Sequence, residues 1–199
     1  MNYTLFSLSK LNPGQTRQLA RLHQRAMHSL LTDLGLPLIE QYYQIARADA
    51  SVIGLCALGA DGNPLGWAIG SPNPNQFNGR LREAPGWFAL LMLRALFMNP
   101  KLIWQILVSA RSMSVAMKKG AVELTYIGVD SSVRKQGLGR ELLRAFIEAA
   151  REKKYKSIEL SVEADNSAAI AMYTRAGFIV IASFKEGAFN RYRMELIFQ

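Results

Sequence analysis

The 199 residues predict a mixed α/β (α+β) fold in a single domain spanning 1–199. Three observations carry that reading. Short apolar or alternating runs recur at both ends of the chain, as strands do. Segments with helical period lie between them. At the centre of the second half an apolar run meets a glycine-containing turn and then an amphipathic stretch, which reads as strand, tight turn, helix. Half of the residues are apolar, enough to bury a substantial core.

In chain order, residues 3–8 read as a first strand. Asn12-Pro13 then opens a helix, with Asn as N-cap and Pro at the first helical position. Leu19, Leu22, Ala26 and Leu30 give this helix an apolar stripe that fades around Leu34-Gly35-Leu36. Pro37 opens a second helix carrying Ile39, Tyr42, Tyr43 and Ala46. Residues 51–58 and 65–70 are two strands joined by the turn Gly59-Ala60-Asp61-Gly62-Asn63-Pro64.

Residues 71–120 read as an insert. Two strongly apolar segments, 87–98 and 102–113, are divided by Asn99-Pro100 and read as a helical hairpin. Each is shorter than the roughly 20 apolar residues that a bilayer span requires, and Arg94 and Arg111 interrupt them. Packing onto the domain, a lid over an acceptor site, a homodimer surface and contact with a membrane surface are the roles such a hairpin fits.

Residues 121–129 form the fourth strand and 137–152 the helix after it. Residues 156–162 alternate, with Ile158, Leu160 and Val162 on one face and Ser157, Glu159 and Ser161 on the other, which predicts a fifth strand with one polar face. Asn166 is placed to cap a helix running to Arg175, and Gly177 to end it. Residues 178–184 and 191–198 complete the chain as two strands around a turn at Lys185-Glu186-Gly187.

The net charge of +9 suits an anionic ligand, a nucleic acid or an acidic membrane surface. The basic residues are scattered and no recognition motif accompanies them, so nucleic acid is not expected as a partner. Cys56 is the single cysteine, which leaves no disulfide framework and predicts a core thiol in a reducing compartment. The start of the sequence has no signal-peptide pattern, so a cytoplasmic location is expected. No Cys/His/Asp spacing suggests a metal.

The chemistry concentrates in Val133-Arg134-Lys135-Gln136-Gly137-Leu138-Gly139-Arg140. The first N–H groups of a helix have no partner within it, and beside the helix's positive end they bind phosphate oxygens. Arg134, Lys135 and Arg140 add charge there, so residues 134–140 are expected to hold a pyrophosphate. Neither a dinucleotide-binding glycine pattern nor a P-loop is present.

Arg134-x-x-Gly137-x-Gly139 resembles the Gln/Arg-x-x-Gly-x-Gly/Ala loop with which the GNAT superfamily of N-acetyltransferases holds acetyl-coenzyme A. Downstream, Asn166-Ser167-Ala168-Ala169-Ile170-Ala171-Met172-Tyr173-Thr174-Arg175-Ala176-Gly177-Phe178 resembles that family's Asn-x-x-Ala-x-x-x-Tyr-x-x-x-Gly-Phe signature. The close resemblance covers 121–183 and is to members with a helical insert between strands 3 and 4. It implies a mixed, mostly antiparallel sheet flanked by helices, with acetyl-CoA as co-substrate. It also implies that the fourth strand splays from the fifth, so that main-chain groups near Ile127, Gly128 and Val129 bond the pantetheine arm. The cofactor-binding set it implies is completed by Arg134, Lys135, Gln136, Gly137, Leu138, Gly139, Arg140, Asn166, Ala169 and Tyr173. Tyr173 matches the tyrosine that protonates the departing sulfur, with a core aromatic as the alternative. Glu123 matches a glutamate that acts as general base in one branch, with Glu159, Ser161 and His28 as rivals.

The acceptor is expected to meet residues 28–43 and the insert, where Tyr42, Tyr43 and His28 are candidates. The insert and Leu31-Thr32-Asp33-Leu34-Gly35 resemble family members found among surface-polysaccharide enzymes, which implies a small primary amine such as an amino sugar. A protein N-terminus or lysine is the alternative acceptor, and a non-catalytic acyl-CoA-binding module the alternative to an enzyme.

Overall fold

The computed structural model describes residues 2–74, 117–186 and 189–198, with the side chain of Leu30 left aside. The apolar segments 87–98 and 102–113, and with them the predicted helical hairpin, lie outside the described residues.

Among the described residues seven strands form one sheet in the order β1-β2-β3-β4-β5-β7-β6. They are β1 (Tyr3–Ser7), β2 (Ile53–Gly59), β3 (Pro64–Ser71), β4 (Ala121–Val129), β5 (Ser157–Glu163), β6 (Ile179–Glu186) and β7 (Phe189–Ile197). Every neighbouring pair is antiparallel except β4 with β5. The exception follows from connectivity, because α4 (Leu138–Glu152) carries the chain from the end of β4 back to the start of β5.

Three helices precede β2: α1 (Pro13–Ala26), α2 (Leu30–Asp33) and α3 (Leu36–Ala48). Asn12 caps α1 in a reciprocal box, its side chain accepting from the Gln15 N–H at 2.8 Å while Gln15 Oε1 accepts from the Asn12 N–H at 3.0 Å. The predicted helical stripe to Leu30 stops short. The helix ends at Ala26, Met27 turns extended, and a separate short α2 follows. The last helix is α5 (Ser167–Arg175). Lys185 and Glu186, expected in a turn, remain in β6 and pair with Asn190 and Phe189.

The sheet separates two apolar cores. On one face Leu19, Leu22, Ile39 and Tyr43 of α1 and α3 pack against Cys56, Trp67 and Ile69. On the other, Leu138, Leu142 and Phe146 of α4 and Tyr173 of α5 pack against Val122, Leu124, Ile158 and Leu160. The polar face of β5 lies on the side of the sheet away from α4 and is largely buried rather than solvated, with Ser157 4% and Glu159 1% exposed.

Candidate functional site

β4 is the strand from which the site is built. Its parallel pairing with β5 runs over Ala121–Leu124, whereas its pairing with β3 continues to Val129. Between these limits β4 carries one extra residue, since Leu124 faces Gly70 and Tyr126 faces Ile69, leaving Thr125 as a bulge. The bulge reverses the sides. Leu124 belongs to the α4 core, whereas Tyr126 packs toward the α1/α3 core. Gly70 answers the bulge on β3, where a Cβ would stand 2.1 Å from the Glu123 carbonyl oxygen.

Beyond the bulge the outer edge of β4 pairs with no described strand. The Asp130 N–H donates to Leu65 O on the β3 side at 2.8 Å, so by alternation Gly128 and Tyr126 also bond toward β3. The main-chain groups of Ile127 and Val129 then turn to the open edge. Gly128, expected at a bulge or a close ligand approach, also makes room for a neighbour, because an added Cβ would lie 2.5 Å from Trp67 Cη2.

The strand runs into the predicted phosphate loop. Asp130 caps a 3-10 turn at Ser131–Val133, after which Arg134, Lys135 and Gln136 are exposed. Lys135 takes φ 63° and Gly137 φ 90°, both left-handed. A non-glycine residue held there costs about 1–3 kcal/mol, and such strain clusters at ligand clamps. The N–H groups of Lys135, Gln136 and Gly137 bond no described residue. They stand at the positive end of the 15-residue α4, which has no side-chain cap. Leu138 sends its side chain into the core at 1% exposure, leaving only its main chain to a ligand. Arg140 lies over the turn, its Nη2 3.7 Å from where a Gly137 Cβ would be.

Gly139 joins three elements. A Cβ built on it would touch Met172 Sδ of α5 at 3.8 Å and Val129 Cγ1 of β4 at 3.9 Å. The structure thereby brings the two sequence motifs together. Asn166 caps α5, accepting from the Ala169 N–H at 3.1 Å. Tyr173, the next residue after Met172, is 6% exposed and tilts against Phe178. Its hydroxyl bonds no described residue, and burial pushes the phenol up to about 12.

The candidate bases differ in what holds them. Glu123, Glu159 and Glu195 stand in one row across β4, β5 and β7. Arg193, 5% exposed, donates to Glu159 Oε2 through Nε at 3.0 Å and Nη2 at 2.8 Å. It also donates to Ser161 Oγ at 3.1 Å and to Glu123 Oε2 at 3.2 Å. Glu159 Oε1 accepts the Lys118 N–H at 2.9 Å, and Glu195 accepts Lys118 Nζ at 2.5 Å. Glu159 and Ser161 are thus committed to the buried network. Glu123 is the carboxylate at its open end, 23% exposed at the side chain.

His28 is exposed in the link between α1 and α2. The buried histidine is His23, which sequence reasoning passed over. Its Nδ1 lies 2.7 Å from Tyr43 Oη, its ring stacks on Trp67, and burial holds its pKa down to about 4. Tyr43 is sealed in that core at 0% exposure. Tyr42 instead lines a small cavity of about 20 Å³ with Ser71 and Thr125, beside the bulge. Among the described residues no group of three or more His, Cys, Asp and Glu is placed to hold a metal, and no helix is long and apolar enough to cross a membrane.

The sequence matches the acetyltransferase (GNAT) family over residues 16–178. The chain belongs to the GNAT family. A mycothiol acetyltransferase of Beutenbergia cavernae is 29% identical over 109 residues, which cover 52% of this chain and 33% of that protein. The chain thus spans about a third of that relative's length. Among solved structures, the ribosomal-protein-alanine N-acetyltransferase of Brucella melitensis superposes with a TM-score of 0.64 at 18% identity, covering 98% of this chain and 99% of that one. The PaiA N-acetyltransferase of Thermoplasma acidophilum, in complex with coenzyme A, gives 0.63 at 12% identity over the full length of both. These likenesses establish a GNAT fold, mixed and mostly antiparallel.

Proposed function

We propose that this GNAT protein is an N-acetyltransferase that moves the acetyl group of acetyl-CoA to a primary amine of a small molecule, such as an amino sugar, by direct transfer in a ternary complex. One arrangement carries the reading. The edge of β4 that pairs with no described strand leads directly into a loop whose N–H groups bond no described residue, at a helix N-terminus, with α5 packed beside it. The chemistry of that cradle suits a diphosphate joined to an amide-rich arm.

Acetyl-CoA supplies a thioester whose carbonyl an uncharged amine can attack. The chain supplies the rest. The N–H groups of Lys135, Gln136 and Gly137 and the first turn of α4 bind the diphosphate, and Arg134, Lys135 and Arg140 balance its charge. Ile127 and Val129 align the arm through their main chains, which makes the transfer effectively intramolecular. An N–H on the same edge stabilises the charge that develops on the carbonyl oxygen. Glu123 accepts the amine's proton through a water, and Tyr173 donates its phenolic proton to the leaving sulfur. Asn166 and Ala169 hold the start of α5 so that Tyr173 faces this edge.

The matched relative is named for mycothiol rather than for a protein, which supports the small-molecule acceptor. The test is acetyl-CoA mixed with a panel of amino sugars, polyamines and peptide N-termini, followed by release of free thiol. Turnover on a small amine supports the proposal. Turnover on peptides alone would replace the acceptor class, and tight coenzyme binding without turnover would replace the enzyme by a binding module.

A further inference from the structure

One charged side chain at the end of β4 takes no part in that reaction. Asp130 is bonded on every side. Its Oδ1 accepts from the Ser132 N–H at 2.9 Å and from the Ser132 hydroxyl at 2.7 Å. Its Oδ2 accepts from Arg25 Nη2 at 2.6 Å. Its own N–H donates to Leu65 O at 2.8 Å, and its carbonyl accepts from the Val133 N–H at 3.1 Å. The side chain is 14% exposed, against 60% for Arg25. The Arg25 bond first, and then the Ser132 N–H, hold the carboxyl down to about 2.

The position of this residue is what gives it a consequence. Asp130 is the last residue before the 3-10 turn Ser131–Val133. From that turn the chain passes to the left-handed Lys135 and Gly137, whose N–H groups bond no described residue. Asp130 thus holds the turn from which those groups emerge. Arg25 sits in the last turn of α1, in the layer on the opposite face from α4. The ion pair thus ties the α1 layer to the start of the loop.

We propose that Asp130, held by Arg25, is the positioning residue of the diphosphate loop: together they fix the turn that presents the Lys135–Gly137 amides. This rests on reading that loop as the coenzyme A site. A side chain that closes a turn on the following amides and an exposed ion pair each contribute modestly, so the effects expected are correspondingly graded.

Coenzyme A binding is measured by calorimetry for the wild type, Asp130→Ala, Arg25→Ala, Arg25→Lys and the Arg25→Ala/Asp130→Ala double variant, each with its unliganded Tm. Asp130→Ala is expected to weaken affinity about tenfold and Arg25→Ala about threefold. Arg25→Lys should recover most of the loss. The double variant should bind no more weakly than Asp130→Ala alone, because the two residues act through one turn. Arg25 is largely exposed, so its variants keep the fold even if Asp130→Ala proves unstable. A wild type that binds coenzyme A alongside an Arg25→Ala variant of equal affinity would overturn the proposal and leave the loop reading standing. A wild type with no coenzyme A binding would overturn both.

Discussion

Tyr173 illustrates how burial sets the terms for a single residue. Its phenol sits in the α4/α5 core at 6% exposure, and burial raises it to about 12. The group keeps its proton throughout the working range of a protein, so it is available as a donor and adds no limb to a pH–rate profile below pH 11. Tyr173→Phe preserves the packing on Phe178 and removes only the hydroxyl. We expect kcat to fall by at least about tenfold, with the KM for acetyl-CoA changed far less. An unchanged kcat would reduce Tyr173 to a core aromatic. Arg193 is the opposite kind of residue, since it is buried among carboxylates. Arg193→Met leaves Glu159 charged at 1% exposure with one backbone donor from Lys118. Breaking one side of a buried ion pair costs about 3–5 kcal/mol, and urea unfolding would read this as a lowered midpoint.

At the level of elements, the two loop glycines serve different ends. Gly137 has φ 90°, so a methyl group there meets backbone strain whatever the space around it. Gly139 is helical, and an added Cβ would make only ordinary contacts at 3.8 and 3.9 Å. Gly137→Ala should therefore destabilise by about 1–2 kcal/mol and weaken coenzyme A binding, while Gly139→Ala should leave both nearly unchanged. Paired Tm and calorimetry measurements check this, and equal effects would mean that left-handed backbone is not what the loop needs. The bulge at Thr125 is a second element-level device. It lets one strand keep β3 as a partner while releasing β5, and Gly70 absorbs the displaced Glu123 carbonyl. Without that release the open edge beside the loop would be paired sheet.

For the whole molecule, the aromatic core under α1 couples stability to pH. His23 has a folded pKa of about 4 against 6.5 in the open chain. The unfolded chain therefore takes up a proton that the native state refuses. Stability is complete above pH 6.5 and falls as pH drops toward 4, by up to about 3 kcal/mol. Asp130 titrates lower, between 3.8 and about 2, and does not share that window. Urea unfolding from pH 7 to 4 should show the decline, and His23→Gln should flatten it. An equally steep decline in the variant would assign the effect to other groups. Trp67 Nε1 and His23 Nε2 find no hydrogen-bond partner among the described residues, consistent with a core in which charge on His23 has nowhere to go.

Much of this could be read along the chain because it is local. The Asn12 cap, the strand before the loop, the turn glycine of 134–140 and the second motif at 166–178 each depend on neighbours a few residues away, and each stands where the sequence placed it. The family and its mixed, mostly antiparallel sheet followed from those motifs. What only the tertiary structure decided is non-local. Alternation in β5 marks a polar face but not whether water reaches it, and here Glu159 lies buried against Arg193 and Ser157 between the neighbouring strands. Two histidines look alike in sequence, yet packing of α1 on β3 seals His23 and leaves His28 outside. Which β4 residues turn to the open edge depended on one extra residue at Thr125, because a strand's side chains and amides alternate and a single insertion exchanges the sides. Register and burial are set by partners far along the chain, and a pattern within one segment carries no record of them.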